Sequence, residues 1–274
     1  MGKASARGKA LYTRPASLTE AQTHYCPGCG HSTMHRLLAE VIDELGIRER
    51  TIGVAPVGCA VLAYEYINID WSEAAHGRPP AVATALKRLQ PDKIVFTYQG
   101  DGDLAAIGMA ETIHAANRGE NFTTIFINNA VYAMTQGQMA PTTMVGQKTK
   151  TTPRGRDANT EGPPMRVCEL LSGFERVRFL ARGTVASPPR VREMKRLLKK
   201  AFQYQIDGVG YSLVEVLSPC PTYWRLKPAD CSEFIENTMA KVFPMGIVKD
   251  TGPGGQDRDE GLRPGGDSTE GTSG

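Results

Sequence analysis

The chain has 274 residues, 41% hydrophobic and 22% charged, with a formal net charge of +3. That length suits one large domain better than two, and so small a charge with dispersed basic residues argues against a nucleic-acid or anionic-membrane partner. No apolar run approaches the ~20 residues that a bilayer-spanning helix needs, so no membrane association is expected.

Residues 1–24 begin MGKASARGKALYTRP, basic but without the apolar stretch of a secretory signal. They read as an arm that is floppy or packs on a partner. Without an export signal, Cys26, Cys29, Cys59, Cys168, Cys220 and Cys231 read as cytosolic thiols rather than disulfides, which places the protein in the cytoplasm. Over residues 31–46, Met34, Leu37, Leu38, Val41, Ile42 and Leu45 recur at helical spacing, and a glycine ends the run. A strand is predicted over 51–57 and a helix opened by prolines over 79–89. A buried strand over 93–98 runs straight into a Gly/Asp turn, followed by a helix over 104–117 and a strand over 123–127. Strands over 176–181 and 211–217 flank a basic helix over 189–204, whose charges read as a solvated face. This alternation predicts an α/β fold, a doubly wound and mostly parallel sheet with helices on both faces, spanning residues 25–248. Residues 135–164 break the rhythm, and a loop of that length inside a domain is usually functional or touches a partner. Residues 249–274, rich in Gly, Asp and Pro, are expected to form a disordered tail.

Two constellations carry chemistry. The first is Gly100-Asp101-Gly102-Asp103 at one strand end, with Asn128-Asn129 at the end of the next. The glycines let the backbone turn tightly toward a phosphate, and Asp101 offers a hard oxygen to Mg²⁺. An amide oxygen at the Asn-Asn pair and the Val131 carbonyl can complete the coordination. In parallel sheets, ligands bind where these residues fall, at the carboxyl ends of strands. The bland alternative is a pair of polar caps.

The second is Cys26-Pro27-Gly28-Cys29, whose spacing lets both sulfurs reach one metal or one cluster. Cys59 and Cys220 each follow a strand beside glycine or proline, and four thiolates suffice for a cubane cluster. Spacing alone leaves zinc open, and the front pair alone would also suit a thioredoxin-like redox site. Cys168 sits in a helical pattern and reads as core; Cys231 reads as a helix entry and a weaker ligand.

Together these motifs resemble the thiamine diphosphate-binding β subunits of the 2-oxoacid:ferredoxin oxidoreductases, over roughly residues 25–224. The resemblance implies thiamine diphosphate, Mg²⁺ on Asp101, Asn129 and Val131, and a 4Fe-4S cluster on Cys26, Cys29, Cys59 and Cys220. It also implies that His31, Gly58, His76, Gly77, Arg78, Gly100, Gly102, Asp103, Tyr132 and Thr135 line the cofactor site. The run NNAVYAMTQGQMAPTT matches the family segment that follows the metal ligands. One departure is Ala83-Thr84-Ala85, where members often carry Ala-Thr-Gly.

The implied reaction is oxidative decarboxylation of a 2-oxo acid to its acyl-coenzyme A and carbon dioxide, with electrons passing through the cluster to ferredoxin. Members acting on 2-oxoglutarate tend to place a basic residue three positions after the third cysteine. Leu62 stands there, which favours an aliphatic substrate side chain and the branched-chain, 2-ketoisovalerate branch. Alternatives are a 2-oxoglutarate or pyruvate enzyme, a non-redox thiamine-dependent decarboxylase or carboligase subunit, and a zinc-stabilised assembly module. The glutamate that activates the cofactor is expected on a partner. The implied partners are an α subunit carrying the pyrimidine-binding domain, meeting residues 135–164, and γ and ferredoxin-like δ subunits.

Overall fold

A computed structural model describes residues 13–252 of the chain. Among them, the strands are β1 (Thr51–Ala55), β2 (Asp70–Glu73), β3 (Ile94–Gly100), β4 (Thr123–Asn128), β5 (Val177–Thr184), β6 (Tyr211–Leu217) and β7 (Gly246–Asp250). They form one sheet of order β2-β1-β3-β4-β6-β5-β7, parallel except for β7, which runs antiparallel to β5. The helices are α1 (Gly30–Leu45), α2 (Ala63–Tyr66), α3 (Pro79–Leu89), α4 (Met109–Arg118), α5 (Ala158–Glu161), α6 (Val167–Ser172), α7 (Pro188–Ile206), α8 (Pro221–Trp224), α9 (Cys231–Phe234) and α10 (Ala240–Val242).

The central strands read as continuous apolar runs because both sheet faces are covered. Successive residues point to opposite sides: Phe96, Ile125 and Ile127 join Leu38, Ile42, Leu198 and Phe202 of α1 and α7, while Val95 and Phe126 join Leu171 of α6 and Ala115 of α4. The doubly wound α/β architecture expected from the alternation is the one observed. No helix among the described residues is long and apolar enough to cross a membrane.

The structure departs from the sequence reading at several places. β2 was not predicted, because Asp-Trp-Ser-Glu is a partly exposed edge strand with no apolar alternation to betray it. β7 takes in Lys249 and Asp250, so order continues past the expected start of the tail; residues 253–274 lie outside the described residues. Of the expected arm, residues 1–12 also lie outside them, whereas the following stretch packs on the chain itself. Ser17 is fully buried, its N–H donating to Asp43 of α1, and Thr19 N–H donates to the Tyr66 carbonyl at 2.9 Å. The helix expected over 104–117 opens with a π-helical turn, Asp103–Ile107, before α4. Residues 135–164 form no loose excursion: the buried Arg156 guanidinium donates to the carbonyls of Ala140, Pro141, Thr143, Glu161, Gly162 and Pro163, pinning the loop's two halves together.

Candidate active site

Because β1, β3, β4 and β6 are parallel, their carboxyl ends open on the same sheet edge. There the chain places Cys59 after β1, Asp101 after β3, Asn129 after β4 and Cys220 after β6. The start of α1 meets them, since the Gly30 N–H donates to the Pro219 carbonyl at 3.1 Å and brings the front cysteine pair alongside Cys220.

A cavity of about 130 Å³ lies between these strand ends. Of the residues expected there, His31, Gly58, His76, Gly100, Asp101, Gly102, Asp103, Asn129, Val131, Tyr132 and Thr135 line it. Asp101 is buried; Oδ1 accepts the Gly102 N–H at 2.9 Å, and Oδ2 accepts the Val131 N–H at 3.1 Å and the Thr142 hydroxyl at 2.9 Å. Burial pushes its carboxyl up to about 7 against the lowering effect of those donors. The turn after β4 is satisfied at one carbonyl after another: Asn128 accepts from Ser218 N–H, Asn129 from Trp224 Nε1, and Ala130 from Thr143 Oγ1. The buried Val131 carbonyl accepts from no donor among the described residues. A buried carboxylate beside an unpaired carbonyl and the Asn129 amide is an oxygen donor set that fits a hard dication.

Asp103 does a different job from Asp101. Its Oδ1 accepts from His76 Nδ1 at 2.5 Å and Gly77 N–H at 2.9 Å, and its Oδ2 from Gln99 Nε2 at 2.7 Å. It thereby ties the loop before α3 to the end of β3 and presents the His76 ring to the cavity. Gly77, at φ +78°, passes against Gly108, where an added Cβ would come within 2.7 Å of backbone atoms. Gly102 lies under the Tyr132 ring, leaving no space for a side chain.

A second cavity, of about 160 Å³, is lined by Cys26, Cys29, Cys59 and Cys220. His31, Cys59, Asn129, Ala133 and Met134 line both cavities, so the two share a wall. All six cysteines are free thiols. Burial first, then the neighbouring thiolates Cys29 and Cys26, pushes Cys59 up to about 12; burial also raises Cys29 and Cys220. Such mutual opposition to ionisation is relieved by a positively charged centre between them. No three His, Cys, Asp or Glu side chains among the described residues converge tightly enough for a single metal ion, so the thiols stand as walls of a wider space. Cys168 is buried in α6 and Cys231 begins α9, both away from this cavity.

Three expected residues fall elsewhere. Gly77 packs on Gly108 and lines neither cavity. Arg78 begins α3 and pairs with Glu111 of α4, so its charge is spent across the helix pair. Leu62 packs against the core beside α1 and does not line either cavity. Sequence reasoning also missed Thr142 and Met134, from irregular segments, and Trp224, from the single-turn helix α8, none of which carries a period to mark it. A larger cleft of about 930 Å³, between residues 136–153 and 222–238, contains neither Asp101, Asn129 and Val131 nor any of the four cavity cysteines.

Residues 56–216 match the family model described as thiamine pyrophosphate enzyme, C-terminal TPP binding domain, so the chain carries that domain. It is 48% identical over 240 residues to the ketoisovalerate oxidoreductase subunit VorA of Methanothermobacter thermautotrophicus, covering 88% of this chain and 50% of that one. The chain thus spans about half the length of that relative. It is 38% identical to the 2-oxoglutarate synthase subunit KorB of Methanocaldococcus jannaschii, covering 77% and 76% of the two chains. The structure of 2-oxoglutarate:ferredoxin oxidoreductase from Magnetococcus marinus, with 2-oxoglutarate, coenzyme A and succinyl-CoA bound, superposes with a TM-score of 0.73 at 24% identity, over 89% of this chain and 87% of that one; it shares the fold. The chain belongs to the thiamine pyrophosphate-binding subunits of the 2-oxoacid:ferredoxin oxidoreductases.

Proposed function

We propose that this chain holds the diphosphate end of thiamine diphosphate through Mg²⁺ and ligates a 4Fe-4S cluster, within an enzyme that oxidatively decarboxylates a branched-chain 2-oxo acid to its acyl-coenzyme A. The observation that carries this reading is the shared wall: the thiols of four cysteines face one cavity while Asp101, Asn129 and Val131 face its neighbour. A non-redox thiamine enzyme has no use for the first cavity, and an assembly module has no use for the second.

When bound, thiamine diphosphate supplies an electron sink for decarboxylation, and the cluster accepts electrons one at a time for transfer to ferredoxin. Asp101, the Asn129 amide and the Val131 carbonyl would hold Mg²⁺. The His76 ring, fixed through its Nδ1 by Asp103, and the glycine-lined turn at Gly100 and Gly102 would face the diphosphate. Cys26, Cys29, Cys59 and Cys220 would hold the cluster, and His31, with Nδ1 3.0 Å from the Tyr98 hydroxyl, lines both cavities and would stand between the two groups.

A cavity of about 130 Å³ suits a diphosphate and its cation, well below the roughly 300 Å³ at which pockets enclose a whole ligand. The rest of the cofactor would therefore project toward a partner carrying the pyrimidine-binding domain and the activating glutamate, with ferredoxin-like subunits relaying electrons outward. The branched-chain assignment rests on the 48% identity to ketoisovalerate oxidoreductase subunits, because Leu62 does not reach the cavity.

Anaerobic purification with iron and sulfide analysis tests the central claim. The expected result is about four irons and four sulfides per chain, with a brown colour bleached by dithionite; zinc without a visible band refutes it. In the assembled enzyme, a kcat/KM for 2-ketoisovalerate above that for 2-oxoglutarate supports the substrate assignment, and the reverse order overturns it.

A further inference from the structure

Beneath the turn that carries Asn129 and Val131 runs a buried ionic chain that touches neither cavity. Arg182 of β5 is fully buried; its Nε donates to Glu215 Oε2 of β6 at 2.8 Å, and its Nη1 and Nη2 donate to Glu169 of α6 at 3.0 and 2.6 Å. The other oxygen of Glu215 accepts from Asn128 Nδ2 at 2.8 Å. Asn128 Oδ1 in turn accepts the Ala130 N–H at 3.1 Å. Ala130 sits at φ +58°, a left-handed conformation that disfavours any residue with a Cβ and persists only where its surroundings enforce it. On the far side, its carbonyl is held by Thr143 and Gln147.

A buried ion pair adds little net stability, because desolvation offsets the attraction between its members. What this one adds is direction. With one carboxylate oxygen taken by Arg182, Glu215 is left with the other for Asn128, which fixes the amide flip and so the acceptor that Ala130 needs. We propose that Arg182 and Glu215 are positioning residues for the metal: acting through Asn128, they hold the left-handed turn that aims the Asn129 amide and the Val131 carbonyl, and so set the affinity for Mg²⁺. The inference rests on the reading of Asp101, Asn129 and Val131 as the Mg²⁺ cradle.

The test titrates Mg²⁺ into the full chain, in whatever complex it purifies, at saturating thiamine diphosphate. Trp224 fluorescence is the readout, since its indole N–H donates to the Asn129 carbonyl at 2.8 Å; equilibrium dialysis of thiamine diphosphate is the second. Two double variants remove the Arg182 and Glu215 charges together, so that neither of these is left buried and unpaired and only the partly exposed Glu169 loses its partner. Arg182→Met with Glu215→Gln keeps an acceptor for Asn128, and Arg182→Met with Glu215→Met does not. The first is expected to bind Mg²⁺ close to wild type and the second about 10–100-fold more weakly, at similar melting temperatures. Asn128→Ala, which leaves the Arg182–Glu215 pair intact, is expected to weaken Mg²⁺ to the same extent and serves if the Met/Met variant does not fold. Equal Mg²⁺ affinity in the two doubles, or wild-type affinity in Asn128→Ala, overturns the inference alone. Wild-type protein that binds no Mg²⁺ and thiamine diphosphate overturns the cradle reading as well.

Discussion

Asp101 and Asp103 stand two residues apart in one Gly/Asp turn and do different work, and the difference comes from what each oxygen meets. Asp103 is saturated by His76, Gly77 and Gln99, whereas Asp101 is wrapped only by neutral donors, the Gly102 and Val131 N–H groups and the Thr142 hydroxyl. Asp101→Asn is therefore expected to raise the Mg²⁺ concentration for half-saturation by more than about 100-fold in a dialysis assay, since it removes a ligand rather than a ligand's support. Gly102→Ala forces a Cβ into the Tyr132 ring. It is expected to cost about 1–3 kcal/mol in denaturant unfolding, with weaker thiamine diphosphate binding as the turn shifts. Cys59→Ser separates the two cavities chemically: iron and sulfide content should fall while Mg²⁺-dependent thiamine diphosphate binding persists. Loss of both together would show that the shared wall cannot be altered on one side only.

At the level of elements, α1 carries an acid-sensitive device. His35 is buried against Tyr98, with Nε2 2.8 Å from the Tyr25 hydroxyl, and burial holds its pKa at about 3 against an ordinary 6.5. Between those two values the unfolded chain binds a proton that the folded chain refuses, so stability falls as pH falls through that window. The slope is about 1.4 kcal/mol per pH unit for each such histidine. His35→Phe is expected to remove its share of the slope, which urea titrations at pH 7 and 5 would read as a smaller difference than in wild type. The segment 135–164 makes the complementary case. Arg156→Ala orphans the carbonyls that close the loop and is expected to destabilise by about 3 kcal/mol. Because Thr142 of that loop donates to Asp101, the same variant should also weaken Mg²⁺ binding.

For the whole molecule, the proposal requires a partner, and the expected outcome is that the isolated chain binds cofactor and cluster yet does not turn over 2-ketoisovalerate until an α subunit is restored. Full-rate turnover by the isolated chain would remove that requirement. What the sequence by itself determined was local. Helical spacing from Met34 to Leu45, the proline-opened α3 and the apolar runs of β3, β4 and β6 mark elements whose period is written in adjacent residues. The Gly100–Asp103 and Asn128-Asn129 signals were legible because each sits directly on a strand end, and the four cysteines because few other residue types suit a thiolate site. The tertiary structure alone decided the rest. It paired the polar β2 at the sheet edge, brought β7 back against β5, turned Arg78 to Glu111, packed Leu62 against the core, and set Thr142, Trp224 and the Arg182–Glu215–Asn128 chain around Asp101 and the turn after β4. Those contacts join residues tens of positions apart in sequence. Side-chain period is fixed by neighbours along the chain, but which loops meet at one sheet edge follows from strand order, and that is settled only when the whole sheet packs.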